Sequence, residues 1–419
     1  MSTNPADGRL IVLRDPDLRR YLSARFIVGM ATQIQTVAVG WQVFSVSGDP
    51  LDLGLVALSQ FLPFILLILP AGHVADHYDR RKVQLATYVI LAACAGALLV
   101  LALAGVEELT PVFAVMVLFG IARAFNQPTG QALLPNLAPP GTFPQAVALN
   151  SSLGQIATIA GPAFGGALVI LGIEVAYALS LALLVIGSLL VVRLQGGGRE
   201  DAPREPVTLA ALLSGITFVR SRPVVLGSIS LDLFAVLFGG ATALLPIYAG
   251  EILDVGPIGL GVMRSAPALG AAVLAAVMTV RPLRTHVGRW MFGGVVAFGL
   301  ATIVFGLSTS FALSLAALVV MGAGDMVSVY IRHLLVQLET PDEIRGRVSA
   351  VNSVFIGASN ELGEFESGVT AAWWGIVPAV VVGGGATIAV AAAWAWLFPM
   401  LRRLDRFPAD PPTERSAGV

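Results

Sequence analysis

Several ionisable side chains interrupt otherwise apolar runs of this 419-residue chain, among them Arg123, Asp232, Arg264, Asp325, Glu361, Glu364 and Glu366. A charge held in hydrocarbon costs about 2.5–3.5 kcal/mol on insertion scales, so each of them needs a partner or a task. Arg123 and Asp325 lie roughly twelve and fourteen residues into their runs, which at about 1.5 Å per residue is near the middle. Asp232 lies about nine residues into its own and is placed to take a proton. Glu361 and Glu364, three apart, share one helix face, while Glu366 points elsewhere. Two carboxylates so close repel one another, and a shared proton relieves the repulsion; this is chemistry suited to a proton-coupled machine. The alternative is that they cap neighbouring helix ends or bond to Asn360 and Ser367. Gln33, Gln35, Gln42 and Trp41, with Asn126 and Gln127 beside Arg123, suit an oxygen-rich aromatic ligand, and helix packing explains them almost as well. No Gly-rich loop ending in Lys and Ser or Thr is present to cradle a nucleotide. No Cys and His cluster has metal-ligand spacing, so neither metal nor cofactor is expected. His73, His77, His286 and His333 sit at or near run ends. No nucleophile, base and orienting group converge, which argues against an enzyme.

The elements that position these residues are membrane helices. Apolar residues make up 56% of the chain and charged ones 12%, a balance that only lipid as solvent accommodates. Continuous apolar runs of about 20 residues, not alternating ones, recur along the chain. Spans are read near 21–46, 52–75, 83–105, 111–133, 143–171 and 174–194, then near 223–250, 257–280, 289–308, 311–337, 346–374 and 377–400. The organisation expected is an N-terminal segment 1–20, a six-helix bundle 21–194, a linker 195–222 with an amphipathic helix, a second bundle 223–400 and a tail 401–419. The polar, arginine-rich start argues against a cleavable leader. The single Cys94 lies inside a run and excludes a disulfide framework. Arginine and lysine cluster before the first span and after even-numbered spans, whereas the other turns carry only acidic residues. That places both termini in the cytoplasm.

The halves repeat. Shifted by 202 positions, Gly120, Pro139, Asn150, Ser151, Gly161 and Gly166 fall on Gly322, Pro341, Asn352, Ser353, Gly363 and Gly368. Six plus six helices in a parallel repeat suit alternating access around a central site.

Three motifs carry a resemblance. Between spans two and three stands Gly72-His-Val-Ala-Asp76-His-Tyr-Asp79-Arg80-Arg81-Lys82, which resembles the loop signature of the major facilitator superfamily. His77 replaces a usual basic residue and Asp79 a usual glycine. Gly72, Asp76, Arg80 and Arg81 read as a gate latch, or alternatively as a plain positive-inside anchor. In span five, Gly161-Pro162-Ala-Phe-Gly165-Gly166 is similar to the core of the motif marking antiporter members. The strings Asn360-Glu-Leu-Gly-Glu-Phe-Glu-Ser-Gly368 and Thr340-Pro-Asp-Glu-Ile-Arg-Gly-Arg347 resemble the branch that contains the enterobactin exporter and macrolide-efflux-type proteins.

The resemblance implies an all-α membrane protein of twelve transmembrane helices in two pseudo-symmetric six-helix bundles, the major facilitator fold. It also implies a monomer in a bacterial inner membrane, handling a small molecule and no nucleic acid. Spans one, four, seven and ten of that fold line a cavity, so Arg123, Asn126, Gln127, Asp232, Asp325, Gln33 and Trp41 become cavity candidates. Arg123 and Asp325 then face each other as a split clamp or as a structural pair. Asp232, Asp325, Glu361 and Glu364 are the proton-coupling candidates. The implied function is export of a siderophore, drug or similar amphipathic metabolite in exchange for protons. Uptake by the same fold and a non-transporting scaffold or sensor are the alternatives.

Overall fold

A computed structural model describes residues 14–196 and 209–408. The first thirteen residues, the middle of the linker (197–208) and the tail from 409 onward lie outside the described residues, as does the side chain of Asp76. All regular structure among the described residues is helical. Six long helices come first: α1 (Pro16–Ser47), α2 (Pro50–His77), α3 (Arg80–Leu103), α4 (Thr110–Leu137), α5 (Phe143–Ile170) and α6 (Ile173–Val192). A shorter α7 (Leu209–Ser221) leads to α8 (Pro223–Gly239). A 3-10 turn (Ala241–Leu244), the brief α9 (Leu245–Ile247) and a π-helical turn (Tyr248–Ile252) follow. The chain then continues through α10 (Gly256–Val280), α11 (Val287–Leu307), α12 (Phe311–Glu339), α13 (Asp342–Trp374), α14 (Ile376–Leu397) and α15 (Pro399–Arg402).

Ten helical stretches among the described residues are long and apolar enough to cross a membrane. Two further helices are longer still, α1 with 32 residues and α13 with 33. They are also the more polar ones, carrying three glutamines in α1 and Asn360, Glu361, Glu364 and Glu366 in α13.

Local chemistry sets the helix ends. Asp15, Asp49 and Asp79 accept backbone N–H groups at the starts of α1, α2 and α3, and Pro16 and Pro50 occupy first-turn positions where a missing N–H costs nothing. Prolines inside α2, α4, α5 and α10 are kept, as membrane helices allow when neighbours satisfy the freed carbonyls. The same packing pattern recurs along the chain. In the first part α1 packs on α5 and α6, α3 on α4 and α6, and α2 on α4. Later α8 packs on α13 and α14, and α11 on α12 and α14.

The chain forms two compact units. One holds α1 to α6 together with Thr242–Ala268; the other holds α7 and α8 up to Ala241 and the described residues from Leu269 onward. The first crossing falls where α8 stops at Gly239 and helical geometry is lost at Gly240. The second falls just after Pro267 of α10. Inside the first unit α5 and α10 meet backbone to backbone: a Cβ on Gly166 would lie 2.2 Å from the Pro257 carbonyl oxygen, and one on Gly261 2.4 Å from that of Pro162. Inside the second, the carbonyl freed at Gly240 accepts from Ser367 Oγ at 2.9 Å. The linker helix α7 seats Val219 among Val225, Val336 and Val348.

Candidate functional site

Each unit carries one polar assembly. In the first, a cavity of about 250 Å³ opens between α1, α3, α4 and α5. Two stripes line it with identical spacing: Arg25, Gly29, Thr32 and Gln33 on α1, and Asn150, Gly154, Ala157 and Thr158 on α5. Positions i, i+4, i+7 and i+8 lie on one face of a helix, so each stripe presents one side to the cavity. Phe26, Tyr88 and Asn126 complete the wall. The Arg25 guanidinium sits beside Tyr21, whose hydroxyl donates to the Gly130 carbonyl at 2.6 Å. Gly130 permits this approach, since a Cβ there would meet Arg25 Nη1 at 2.1 Å. Gln84, fully buried on α3, donates from Nε2 to Asn126 Oδ1 at 2.5 Å.

In the second unit, Asp232 on α8 accepts from Ser328 Oγ at 3.0 Å and forms an ion pair with Arg332; both partners come from α12. Asp232 is 3% exposed and Arg332 1%. Asp325 precedes Ser328 by one turn and interacts electrostatically with both Asp232 and Arg332. The group therefore holds two carboxylates against one guanidinium. Burying charge at this cost persists only with close pairing.

The cavity candidates separate. Gln33 and Asn126 line the cavity of the first unit. Gln127 is exposed on α4, and Trp41 packs on Phe44 with ring centroids 5.3 Å apart. Gln42 accepts from the buried Tyr177 hydroxyl at 2.6 Å, a packing contact. Arg123 turns to α2: it donates to Gln60 Oε1 at 3.4 Å and lies 5.8 Å from the Phe64 ring centroid. Asp325 stands with Asp232 and Arg332 in the second unit. Glu361, Glu364 and Glu366 are half-buried on α13, where Asn360 bonds to the Ile356 carbonyl and Ser367 to that of Gly240. Arg264 is half-buried on α10.

A sequence profile of the family described as transmembrane secretion effectors matches residues 10–414. The chain belongs to that family. This transporter is similar to the multidrug efflux pump Tap of Mycolicibacterium fortuitum, 26% identical over 96% of this chain and 98% of that protein. It is also similar to the enterobactin exporter EntS of Citrobacter koseri, 26% identical over 94% and 95%. Among solved structures, a POT family transporter bound to a thioalcohol-conjugated peptide superposes with a TM-score of 0.74 at 14% identity, covering 92% of this chain and 96% of that one. The nucleoside transporter NupG gives 0.70 at 15% identity, over 91% and 99%. The transporter thus shares its fold with major facilitator proteins.

The loop motif of the transporter ties helix ends together. Arg80, 6% exposed, donates to the carbonyls of Ala75 and Ala132 near the ends of α2 and α4. The Ala75 carbonyl lies in the last turn of α2, where carbonyls lack helical partners. Arg81 donates to the Gln195 carbonyl at 2.8 Å just past α6, and to Asp79. Asp79 starts α3 by accepting from the Arg81 N–H at 2.9 Å. Burial pushes the Asp79 pKa up, but the Arg81 side chain and nearby backbone N–H groups outweigh it and hold the carboxyl below its usual range. Asp17 behaves alike. Burial raises its pKa, the N–H groups of Gly196 and Gln195 together with Arg20 lower it, and the net shift is downward. Gly72 lies one turn before the end of this arrangement, on α2. In the span-five motif, a Cβ on Gly161 would meet Gln33 Cβ at 2.5 Å and one on Gly165 the Ile34 Cα at 3.1 Å. Gly161 and Gly165 thereby seat α5 on α1, and Pro162 and Gly166 seat it on α10.

Two residues central to these assemblies escape a reading by charge position alone. Arg25 lies close to the basic start of the chain and merges with its anchoring arginines, and Arg332 stands near the end of an apolar run. The signal for Arg25 is its spacing to Gly29, Thr32 and Gln33, repeated at Asn150, Gly154, Ala157 and Thr158.

Proposed function

We propose that this transporter is a proton-coupled exporter of a small organic molecule, a siderophore, drug or similar amphipathic metabolite, working by alternating access. The observation that carries the proposal is the buried group of Asp232, Asp325 and Arg332. Two carboxylates share one guanidinium, so a single proton balances the charge. Adding it weakens the hold of α8 on α12, and removing it restores that hold; a proton thereby biases two packings of the same helices. Export as the direction is supported by nearly full-length similarity to an efflux pump and an enterobactin exporter.

In this reading α1 and α13 also cross the membrane, giving twelve spans in two six-helix halves, 21–194 and 223–400. The linker 195–222 joins them, and the segments 1–20 and 401–419 are cytoplasmic. The recurring helix pairings support the two halves. The protein is a monomer in the inner membrane, with a small-molecule cargo. Gln33, Asn126, Arg123, Gln127 and Trp41 serve the cargo side. Glu361 and Glu364 are further proton carriers. Gly72, Asp76, Arg80 and Arg81 form the gate latch, and the motif from Gly161 to Gly166 keeps α5 close-packed during exchange.

The test is cargo-dependent proton movement in proteoliposomes, with catecholates and macrolides as the panel. Asp232→Asn, Asp325→Asn and Glu361→Gln are compared with the wild type. One of the aspartate variants is expected to exchange cargo without accumulating it against a proton gradient. A wild type that moves neither cargo nor protons under any gradient overturns the proposal, as do aspartate variants that all accumulate cargo normally.

A further inference from the structure

The cavity of the first unit holds a guanidinium, that of Arg25, with no counter-charge among the described residues. Among the described residues no carboxylate pairs with Arg25, whereas Arg20, Arg81 and Arg332 each have one. The neighbouring Tyr21 hydroxyl has already committed its proton to Gly130. Asn126 spends its Oδ1 on Gln84, and its Nδ2 makes no hydrogen bond among the described residues, which leaves an amide donor at the cavity wall. The Tyr21 hydroxyl bonds to the Arg25 side chain but brings no charge; a cation without a counter-charge on a membrane helix is costly, and it is retained where a ligand supplies one. Thr32, Gln33, Asn150 and Thr158 add polar groups to the same wall, and Phe26, Tyr88 and Leu153 give it aromatic and apolar surface. Polar groups converging around one cation, with aromatic and apolar side chains beside them, are what orients a small molecule in a pocket.

Size and charge narrow the ligand. A volume of about 250 Å³ falls below the roughly 300–1,000 Å³ of sites that enclose a whole drug-sized molecule. It therefore takes one ring with its substituents, the end of a larger cargo. An arginine fork pairs with a planar carboxylate through two parallel hydrogen bonds, and an amide N–H adds a third. We propose that this cavity is a binding subsite for an aromatic carboxylate, with Arg25 holding the carboxylate, Asn126 donating to it and the ring lying against Phe26 and Tyr88. The inference deepens the export reading by naming the chemistry of one end of the cargo.

Gly154 offers a variant that keeps the fold, because a Cβ there would meet no atom within 4 Å. A larger side chain at 154 enters the cavity without displacing a neighbour. The experiment measures binding of radiolabelled salicylate to the full chain in lipid nanodiscs, with salicylamide as the uncharged competitor. Wild type is expected to bind salicylate saturably and to prefer it to salicylamide at least tenfold. Arg25→Gln is expected to lose that preference, Arg25→Lys to keep part of it, and Gly154→Val to lose binding of both compounds. Absence of saturable salicylate binding by the wild type overturns the inference, and so does an unchanged preference in Arg25→Gln. Export of the catecholate and macrolide panel is followed in the same preparations. Arg25-independent binding alongside intact export removes the subsite and leaves the export reading. Arg25-dependent binding without export under any gradient does the reverse.

Discussion

Replacing Arg332 should cost the fold more than replacing its partner Asp232, and the charge count around them sets the difference. Arg332→Met leaves Asp232, 3% exposed, beside Asp325 with no cation between them. Breaking a buried pair in that way costs about 3–5 kcal/mol, because the remaining charge stays uncompensated. Asp232→Asn is milder. Arg332 still has Asp325 within electrostatic reach, and the new amide oxygen can still accept from Ser328 Oγ, so the loss is one charge-assisted hydrogen bond, about 1.5–3 kcal/mol. Adding Asp232→Asn to Arg332→Met removes one of two repelling carboxylates and should recover stability, with a coupling energy of about 1–3 kcal/mol. Denaturant titration in mixed micelles, followed by tryptophan fluorescence, gives all three values. The reasoning fails if Asp232→Asn destabilises as much as Arg332→Met. It also fails if the coupling is below about 0.5 kcal/mol, the range in which independent sites simply add.

Gly166→Ala puts a methyl group 2.2 Å from the Pro257 carbonyl oxygen and should lower stability by about 1–3 kcal/mol through overpacking. Gly154→Ala, whose methyl meets nothing, should leave the melting temperature in detergent unchanged or higher. Asp17 holds the backbone N–H groups of Gln195 and Gly196 at 2.9 and 2.7 Å, and its pKa is lowered in the fold. Its contribution is therefore complete above the ordinary carboxylate range near 4 and is lost as pH falls through the lowered value. The hydrogen-exchange protection factors of amides 195 and 196 should fall over that interval in the wild type and should be low at every pH in Asp17→Ala.

The helices were readable because their cause is local. Apolar runs long enough for lipid, proline and aspartate at the starts, and glycine at the turns all act within a few residues. Asp15, Asp49 and Asp79 cap where they stand in the sequence. The break after Gly239 was not readable in the same way. Residues 223–250 are evenly apolar, and what ends the helix is the approach of other chains of atoms: Phe298 against Gly239, and the Gly363 backbone against Gly240. Nor does apolarity tell which unit a stretch packs in. Thr242–Ala268 joins α1 to α6 because Gly166 and Gly261 permit backbone contact there, and glycine is common enough in membrane helices that the pairing has no sequence signature.

For the site, reading charges one at a time finds the costly residues but not the neighbours each has within its own unit. Arg123 and Asp325 occupy equivalent positions in the repeat, and symmetry invites pairing them. Within its own unit Arg123 meets Gln60 and Phe64, and within its own Asp325 has Asp232 and Arg332. The repeat conserves backbone register, not the polar neighbours each half has acquired. Periodicity carries more information here than charge. Arg25 looks like a fifth anchoring arginine until its spacing to Gly29, Thr32 and Gln33 is laid beside Asn150, Gly154, Ala157 and Thr158. Two helices that pack together, each with a polar residue, two small or hydroxylated positions and another polar residue on one face, leave a polar gap between them. The small residues are the decisive part: a leucine at 29 or 154 would fill the gap and leave Arg25 an anchor and nothing more.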